Sequence, residues 1–419
     1  MSAATHSLIY DWNQDARRAE RSAEEDAIAA GGPSPVMLDD ETLRDGLQSP
    51  SVRIPTIDEK IDILQRMDGL AIDTANIGLP GAGARVADDA ERLARAIDDL
   101  RLRIRANCAA RTTVRDITPI VEIAQRTGVP IECCTFIGSS PIRQYTEGWT
   151  IDHLQRLTEE AVTFAVREGL AVMYVTEDTT RADPSSLRAL MTTALRSGAT
   201  RLCVADTVGY ATPAGARAVV RYVKGVVAEL GSDAGIDWHG HNDRGFGVAA
   251  ALAALDAGAT RLHGSALGIG ERSGNTPMDL LLVNLVMMGR FDRDLTGLPA
   301  YCEAVARACE MPIPVNYPVV GADAFRTATG VHAAAVLKAF RKHDPTLMDA
   351  VYAAVPASLV GREQEIDVGP LSGRSNVVFW LERRGLQATA ALVDRIMTAA
   401  KNANRTLSHS QIQQIIDEP

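Results

Sequence analysis

The stretch 201-RLCVADTVG-209 is an apolar run that ends in polar residues, and 235-GIDWHGHND-243 repeats the pattern one helix length later. Runs of the same kind lie at 36–42, 70–79, 102–108, 130–138, 170–178 and 261–270. The segments between them are amphipathic and rich in Ala, Leu and Arg, which is typical of helices. Eight strand candidates in this strand-then-helix order predict parallel strands. A closed (β/α)8 barrel, the α/β TIM barrel, fits them better than an open doubly wound sheet.

The composition fits a globular protein that acts on a small molecule. The chain has 419 residues, of which 46% are hydrophobic and 23% charged, with a net charge of −10. No cluster of Lys and Arg favours nucleic acid or an anionic membrane as a partner. No apolar run approaches the roughly 18 residues of a membrane-spanning helix, and the N-terminus lacks a signal-peptide pattern, so we expect a cytoplasmic protein.

The six cysteines predict neither a disulfide framework nor a structural zinc site. They lie inside apolar runs and form no CxxC pair. Spaced cysteine pairs are what such scaffolds and zinc sites require. We therefore expect a reducing compartment.

The order of the segments predicts three regions. Residues 1–35 form an N-terminal extension that ends in GGPSP, and residues 36–295 form the catalytic barrel. Residues 296–419 form a C-terminal linker and helical subdomains, without a separate regulatory domain. The Gly- and Pro-containing stretches between these regions are typical of linkers.

Polar residues gather where the predicted strands end. They are Asp45, Asn76, Glu177, Asp178, Asp206, Thr207, His239, His241, Glu271 and Asn275. The C-terminal mouth of such a barrel is where its enzymes build their active sites, so this distribution predicts one shared active centre. Solvated loops are the alternative, but they would bring a mixture of Lys, Ser and Glu instead of carboxylates, His and Asn.

The pair His239 and His241 is the first candidate for metal binding. Strand side chains alternate between faces, so both imidazoles lie on one side of the strand. Such a pair is more often structural than metal-binding unless a third ligand is near. Asp45 in 41-ETLRDGLQ-48 is that candidate, because strands one and seven approach each other at the barrel mouth. Arg44 beside it would stabilise a developing oxyanion, although a structural Arg–Asp pair is the commoner role of this dipeptide.

Two further loops suit an anionic substrate. The glycines of 268-GIGERSGN-275 allow close backbone approach, and their amides could hold a carboxylate or phosphate. A dinucleotide site is not favoured, since the loop follows the eighth strand rather than the first. In 206-DTVGYATP-213, Thr207 ends a strand where a substrate carboxylate could lie, whereas Thr212 before Pro213 fits a helix cap.

The motifs ETLRDGLQ, TEDTTR (176–181), ADTVGYATP (205–213), HGHND (239–243) and GIGERSGN occur in this order. Together they resemble the 2-isopropylmalate synthase and homocitrate synthase family of metal-dependent Claisen-condensing enzymes. The resemblance continues through 330-GVHAAAVLK-338 and 360-VGREQEIDVGPLSGR-374. It implies that acetyl-CoA, as co-substrate, condenses with a 2-oxoacid and that thioester hydrolysis releases CoA and an alkylmalate-type product.

The resemblance also implies roles for particular residues. It implies a divalent metal cation (Mg²⁺, Mn²⁺ or Zn²⁺) held by Asp45, His239 and His241, with Asn275 at or near the coordination sphere. Arg44 would polarise the keto oxygen, and Glu177 would be a further active-site residue. In a domain-swapped homodimer, His332 would reach the partner's site and assist proton transfer, with Tyr352 alongside. The substrate-binding residues would be Gln48, Arg143, Thr207, Gly270 and Glu271.

The motifs leave the oxoacid open. Arg143 resembles an Arg with which homocitrate synthases hold a second carboxylate, where isopropylmalate synthases commonly have His. Asn275 suits isopropylmalate-type and some homocitrate-type members, and Asn76 replaces a frequent Glu. Ala328 and Leu371 also depart from the family pattern. We expect isopropylmalate-type chemistry, with homocitrate-type, citramalate-type or another 2-oxoacid as alternatives.

Two other classes of function fit parts of the pattern. Acyl-CoA lyases share the barrel, RDG and HxH, but their loop after strand eight usually carries a Gly-Cys element that GIGERSGN lacks. A catalytically silent barrel used for binding is disfavoured by the intact metal-ligand set. Feedback-inhibited family members carry a further C-terminal domain, and we expect no inhibition through such a domain here.

Overall fold

The computed structural model describes residues 36–418, so the predicted extension at 1–35 lies outside the described residues. The described part of the chain forms two compact units. The first contains residues 36–293 and 300–312, and the second contains residues 294–299 and 313–418. Within residues 36–418, no helix is both long and apolar enough to span a lipid bilayer.

The first unit contains a closed barrel of eight parallel strands in chain order, which confirms the predicted fold class. Strand β1 pairs with both β2 and β8, and the register Asp40↔Gly264 closes the ring. The strands are β1 Met37–Asp40, β2 Thr74–Asn76, β3 Arg105–Arg111, β4 Ile131–Gly138, β5 Val172–Glu177, β6 Arg201–Asp206, β7 Gly235–Gly240 and β8 Arg261–Gly264.

Helices follow the strands and cover the outside of the barrel. Their first turns are capped by the residues that the sequence offers: Thr56 and Glu59 form a reciprocal capping box, and Thr212 caps the helix that starts at Pro213. The helices are α1 Ile57–Gly69, α2 Ala84–Asp99, α3 Val114–Thr127, α4 Pro141–Glu147, α5 Ile151–Arg167, α6 Pro184–Arg196, α7 Pro213–Glu229, α8 Gly247–Ala257, α9 Met278–Met287 and α10 Leu298–Ala308.

The lumen of the barrel has an apolar side and a charged side. Cys134, Met173 and Cys203 pack together on β4, β5 and β6, with Val175 against them. On β1, β7 and β8 the inward positions instead carry ionisable residues, among them Asp39, Asp237 and His263, all buried. Buried charges persist only where they are paired or bind an ion, so these residues are candidates for ion pairs or metal ligands.

The second unit is mainly helical, as the sequence predicts for the C-terminal region. It contains β9 Arg326–Thr327 and β10 Glu365–Ile366, which form a two-stranded sheet. Its core includes Val377, Trp380, Leu381 and Ile396. Its helices are α11 Gly330–Arg341, α12 Pro345–Ala350, α13 Arg374–Glu382, α14 Ala390–Asn402 and α15 His409–Asp417.

Candidate metal and substrate site

Three side chains converge at the C-terminal end of the barrel. The Asp45 carboxylate oxygen Oδ2 lies 3.2 Å from His239 Nε2 and 3.6 Å from His241 Nε2. The two imidazole nitrogens are themselves 3.4 Å apart. All three residues are buried, and the two histidines lie on one side of the chain, as the alternation of strand residues predicts.

This arrangement fits a divalent cation. A metal ion held by such ligands at about 2.1 Å brings neighbouring donor atoms to within about 3.0 to 3.4 Å of one another, close to the observed spacing. Asn275 Oδ1 is buried and has no hydrogen-bond partner among the described residues, although Asn275 Nδ2 donates to the Ile269 carbonyl. Asn275 also pairs with His241 through an isolated antiparallel bridge. Its amide oxygen is therefore available as a further ligand.

The electrostatic surroundings keep Asp45 and His241 in the protonation states that metal binding needs. Burial alone would raise the pKa of the Asp45 carboxyl, but Arg44 and His239 outweigh it and hold that pKa well below its usual range. Burial and the neighbouring His239 lower the pKa of His241 to about 4. Asp45 is therefore ionised and His241 neutral near pH 7, which are the ligand forms of carboxylate and imidazole.

Arg44 is held by two carboxylates beside this group. Its Nη2 lies 2.6 Å from Glu41 Oε2, and its Nη1 lies 3.3 Å from Asp45 Oδ2. The side chain is 17% exposed, so the guanidinium is partly withdrawn from solvent. Because two opposite charges fix its position, Arg44 places a permanent positive charge next to the candidate metal ligands.

The loops after β6, β7 and β8 are tied together around His241. Arg272 donates through Nε to Asp243 at 2.9 Å and through Nη2 to the Thr207 carbonyl at 2.6 Å. Arg244 donates through Nη1 to the Tyr210 carbonyl at 2.8 Å. Neither Asn242 nor Asp243 bonds an imidazole: Asn242 Oδ1 accepts from the Gly247 amide.

Thr207 lies at the end of β6 with its hydroxyl already oriented. The Asp178 amide donates to Thr207 Oγ1 at 2.8 Å. An oxygen that accepts from a backbone amide keeps its own O–H proton for another acceptor. The hydroxyl can therefore donate to an anionic oxygen.

Arg143 and Glu177 form a pair at the same end of the barrel. Arg143 Nε lies 3.4 Å from Glu177 Oε1, and its Nη2 lies 3.4 Å from Glu147 Oε1. Burial raises the pKa of Glu177, and the charges of Asp178, Glu147 and Glu271 add to this against the opposing effect of Arg143. The pair therefore places the Glu177 carboxyl group beside the Arg143 guanidinium at this end of the barrel.

Of the remaining predicted substrate-binding residues, Gln48 and Glu271 are exposed and Gly270 is buried. Gln48 ends the 3₁₀ turn Gly46–Gln48 and is exposed, and the Glu271 side chain is 58% exposed. Gly270 is buried against Asn275, and its φ of 151° is readily available only to glycine. A Cβ at Gly270 would lie 2.3 Å from Asn275 Nδ2, so a side chain there would displace the amide.

His332 and Tyr352 lie together in the second unit. Their rings stack with centroids 4.1 Å apart and an angle of 28° between their planes. Both side chains are exposed, as are the neighbouring Val331 at 73% and Leu371 at 76%. Their predicted part in proton transfer stays a prediction.

Sequence reasoning missed two residues next to the metal-binding group. Glu41 Oε1 lies 3.8 Å from His239 Nδ1 and 3.3 Å from His263 Nδ1, and Glu41, His239 and His263 are close enough to form a second potential ligand group. Only the period-two alternation of β1 and β8, which directs both residues into the lumen, could have indicated them.

Comparison with known proteins agrees with this architecture. Residues 36–300 match the family model described as HMGL-like. A probable 2-isopropylmalate synthase of Methanopyrus kandleri is 30% identical over 374 residues, which cover 88% of this chain and 70% of that protein. The homocitrate synthase AksA of the same organism is 31% identical over 379 residues, 88% of either chain. The crystal structure of Bacillus subtilis HMG-CoA lyase has the same fold, with a TM-score of 0.57 and 20% identity over 67% of this chain and 96% of that one.

Proposed function

Since this chain belongs to the HMGL-like family, in its group of 2-isopropylmalate and homocitrate synthases, we propose that it is a metal-dependent acyltransferase that condenses acetyl-CoA with a 2-oxoacid. The observation that carries the proposal is the convergence of Asp45, His239 and His241 at the C-terminal end of the barrel, with Arg44 beside them.

The reaction requires charge stabilisation at one carbonyl and a base at another carbon. The acetyl methyl group loses a proton, its carbon bonds to C2 of the oxoacid, and the keto oxygen takes up a proton. Water then cleaves the thioester, releasing CoA as a free thiol and leaving an alkylmalate-type product. A base near the methyl group and a positive charge near the keto oxygen lower the barriers of these steps.

The charged side of the barrel supplies the second requirement. Asp45, His239, His241 and Asn275 would hold a divalent cation, Mg²⁺, Mn²⁺ or Zn²⁺, which when bound stabilises negative charge on the keto oxygen as a Lewis acid. Arg44 adds a fixed cation whose hydrogen-bond donors face the same region. The Thr207 hydroxyl, whose oxygen accepts from the Asp178 amide, donates its own proton to the oxoacid carboxylate.

Proton transfer needs residues of a second subunit in this proposal. The protein acts as a homodimer, and His332 of the partner subunit assists removal of the methyl proton, with Tyr352 of the partner subunit stacked beside it. The stacked pair and the exposed apolar residues around it suit a surface that another chain covers. Glu177, Gln48, Gly270 and Glu271 complete the contacts to the two substrates.

We assign the oxoacid to the 2-oxoisovalerate type, which gives 2-isopropylmalate. The cation of Arg143 is flanked by the carboxylates of Glu177 and Glu147, so a second substrate carboxylate would meet little net positive charge. Inward from Glu177 on β5, Val175 packs on Cys134 and Cys203, an apolar surface that suits an alkyl side chain.

A homocitrate-type activity on 2-oxoglutarate is the second candidate. Arg143 favours it, because its guanidinium lies at the C-terminal end of the barrel, where it can meet a distal carboxylate. A citramalate-type activity on pyruvate and an acyl-CoA lyase activity rank lower. The acyl-CoA lyase activity is disfavoured because the loop Gly268–Asn275 contains no cysteine, whereas the corresponding loop of the lyases usually carries a Gly-Cys element.

The test is a thiol-release assay with acetyl-CoA and one oxoacid at a time. The panel contains 2-oxoisovalerate, 2-oxoglutarate, pyruvate and oxaloacetate, each with Mg²⁺, Mn²⁺ or Zn²⁺. We expect CoA release that depends on the oxoacid and is fastest with 2-oxoisovalerate. Fastest release with 2-oxoglutarate would move the assignment to homocitrate, and thiol release with none of them would contradict the proposed function.

A further inference from the structure

The barrel lumen contains a row of buried ionisable side chains directly behind the metal-binding group. Arg201 Nε bonds Asp237 Oδ1 at 2.6 Å, and Asp237 Oδ2 lies 2.8 Å from His263 Nε2. His263 Nδ1 in turn lies 3.3 Å from Glu41 Oε1. Asp237, His263 and Glu41 are each at most 2% exposed. A continuous line of contacts therefore runs through the barrel to Glu41.

Glu41 connects this row to two functional groups at once. Its Oε2 is the closest partner of Arg44, at 2.6 Å, and its Oε1 lies 3.8 Å from His239 Nδ1. That nitrogen is on the opposite side of the imidazole from Nε2, the atom that faces Asp45 and His241. One carboxylate thus lies behind both the Arg44 guanidinium and the His239 ring.

We infer that Glu41 is a positioning residue that orients His239 for metal binding and holds Arg44 beside the substrate, with His263 and Asp237 fixing Glu41 in turn. The inference rests on the proposed function. A carboxylate on the Nδ1 side favours the tautomer with its proton on Nδ1, which leaves the Nε2 lone pair free for a metal ion. The same carboxylate keeps the Arg44 guanidinium in one orientation.

The alternative is that Glu41 and His263 are themselves ligands of a second metal ion. His263 Nδ1 and Asp39 Oδ2, 3.4 Å apart, have no hydrogen-bond partner among the described residues. His263 Nδ1 thus lies 3.4 Å from Asp39 and 3.3 Å from Glu41. These distances are typical of an imidazole that forms ion pairs with two carboxylates, so a second cation is not required. The two readings differ in the number of metal ions bound.

The test uses the full-length protein stripped of metal and titrated with Mn²⁺ alone. In Glu41→Gln, which keeps the shape of the side chain, we expect Mn²⁺ affinity to fall by about tenfold or more. We also expect kcat to fall while KM for acetyl-CoA stays within about twofold, since Arg44 acts on the keto oxygen. Glu41→Asp should recover part of both losses, and His263→Gln should show a weaker form of them.

The matched control is Asp40→Asn, at the position immediately before Glu41. Asp40 is equally buried, but it accepts hydrogen bonds from Tyr301 and the Thr42 amide and does not contact the metal-binding group. We expect its Mn²⁺ affinity to match that of the unaltered protein. Unchanged affinity and kcat in Glu41→Gln would overturn the inference, as would two Mn²⁺ ions per chain. Because Mn²⁺ binding needs no substrate, the result stands apart from failure of the condensation assay.

Discussion

Arg143 is the side chain on which the choice of oxoacid depends most directly. In the Arg143→Ala variant we expect kcat/KM for 2-oxoisovalerate and 2-oxoglutarate to fall by similar factors, because Glu177 and Glu147 already balance the guanidinium. The measurement is the ratio of the two kcat/KM values by thiol release. If kcat/KM falls by about tenfold or more for 2-oxoglutarate alone, Arg143 binds a second substrate carboxylate, and the homocitrate assignment is favoured.

The site residues differ in how far the sequence can indicate them. His239 and His241 could be predicted as neighbours, since strand alternation is local, and Asp45 could be predicted near them because it follows another strand of the same barrel. Strand alternation could place Glu41 and His263 on the lumen side, but it could not predict their contact, which depends on the closure of β1 against β8. Arg143 and Glu147 are an i,i+4 pair within α4, which the sequence can indicate, but the contact of Arg143 with Glu177 depends on where α4 lies after β4.

The loops after β6 and β7 cross so closely that glycine is required at their contact. Gly209 has a φ of 56°, and a Cβ there would lie 2.7 Å from the Asp243 amide nitrogen and 2.9 Å from the His241 carbonyl oxygen. In Gly209→Ala we expect the His241 segment to shift and Mn²⁺ affinity to fall by about tenfold. We also expect a destabilisation of about 1 to 3 kcal/mol beyond the backbone strain itself.

Gly231→Ala is the matched control for Gly209→Ala, because it introduces the same backbone strain without the contact between the loops. Gly231 has a φ of 62°, but a Cβ there would meet nothing within 4 Å. Its substitution should cost only the left-handed strain, about 1 to 2 kcal/mol, and leave Mn²⁺ binding unchanged. Urea unfolding and Mn²⁺ titration of both variants separate the two effects. Equal Mn²⁺ affinities would refute the role of the loop contact.

The strands show why the order of the elements along the chain is easier to predict than the length of each strand. All eight predicted runs overlap a strand, yet the run at 261–270 is a strand only over Arg261–Gly264. A Cβ at Gly264 would lie 2.7 Å from the Thr276 carbonyl oxygen, and the chain then enters a 3₁₀ turn with Leu267 at a φ of 56°. This turn is set by packing against the segment before α9, which the apolar pattern of the run does not contain.

The proposed homodimer makes a prediction for mixtures of two inactive variants. His239→Ala lacks a metal ligand, and His332→Ala lacks the proposed proton-transfer group. If His332 acts in the partner's site, each mixed dimer has one intact site, so co-refolded equal amounts should regain about a quarter of the unaltered activity. The measurement is thiol release before and after mixing. Activity that stays at the level of the separate variants would place His332 in its own chain's site or outside catalysis.

The central claim is that a metal ion held by Asp45, His239 and His241 drives condensation of acetyl-CoA with a 2-oxoacid. Its most direct test is the metal content and oxoacid-dependent thiol release of the unaltered protein and of His239→Ala, prepared identically and compared by thermal unfolding. We predict about one divalent cation per chain and thiol release for the unaltered protein, and loss of both in a folded His239→Ala variant. A His239→Ala protein that keeps its metal and its turnover would contradict the claim.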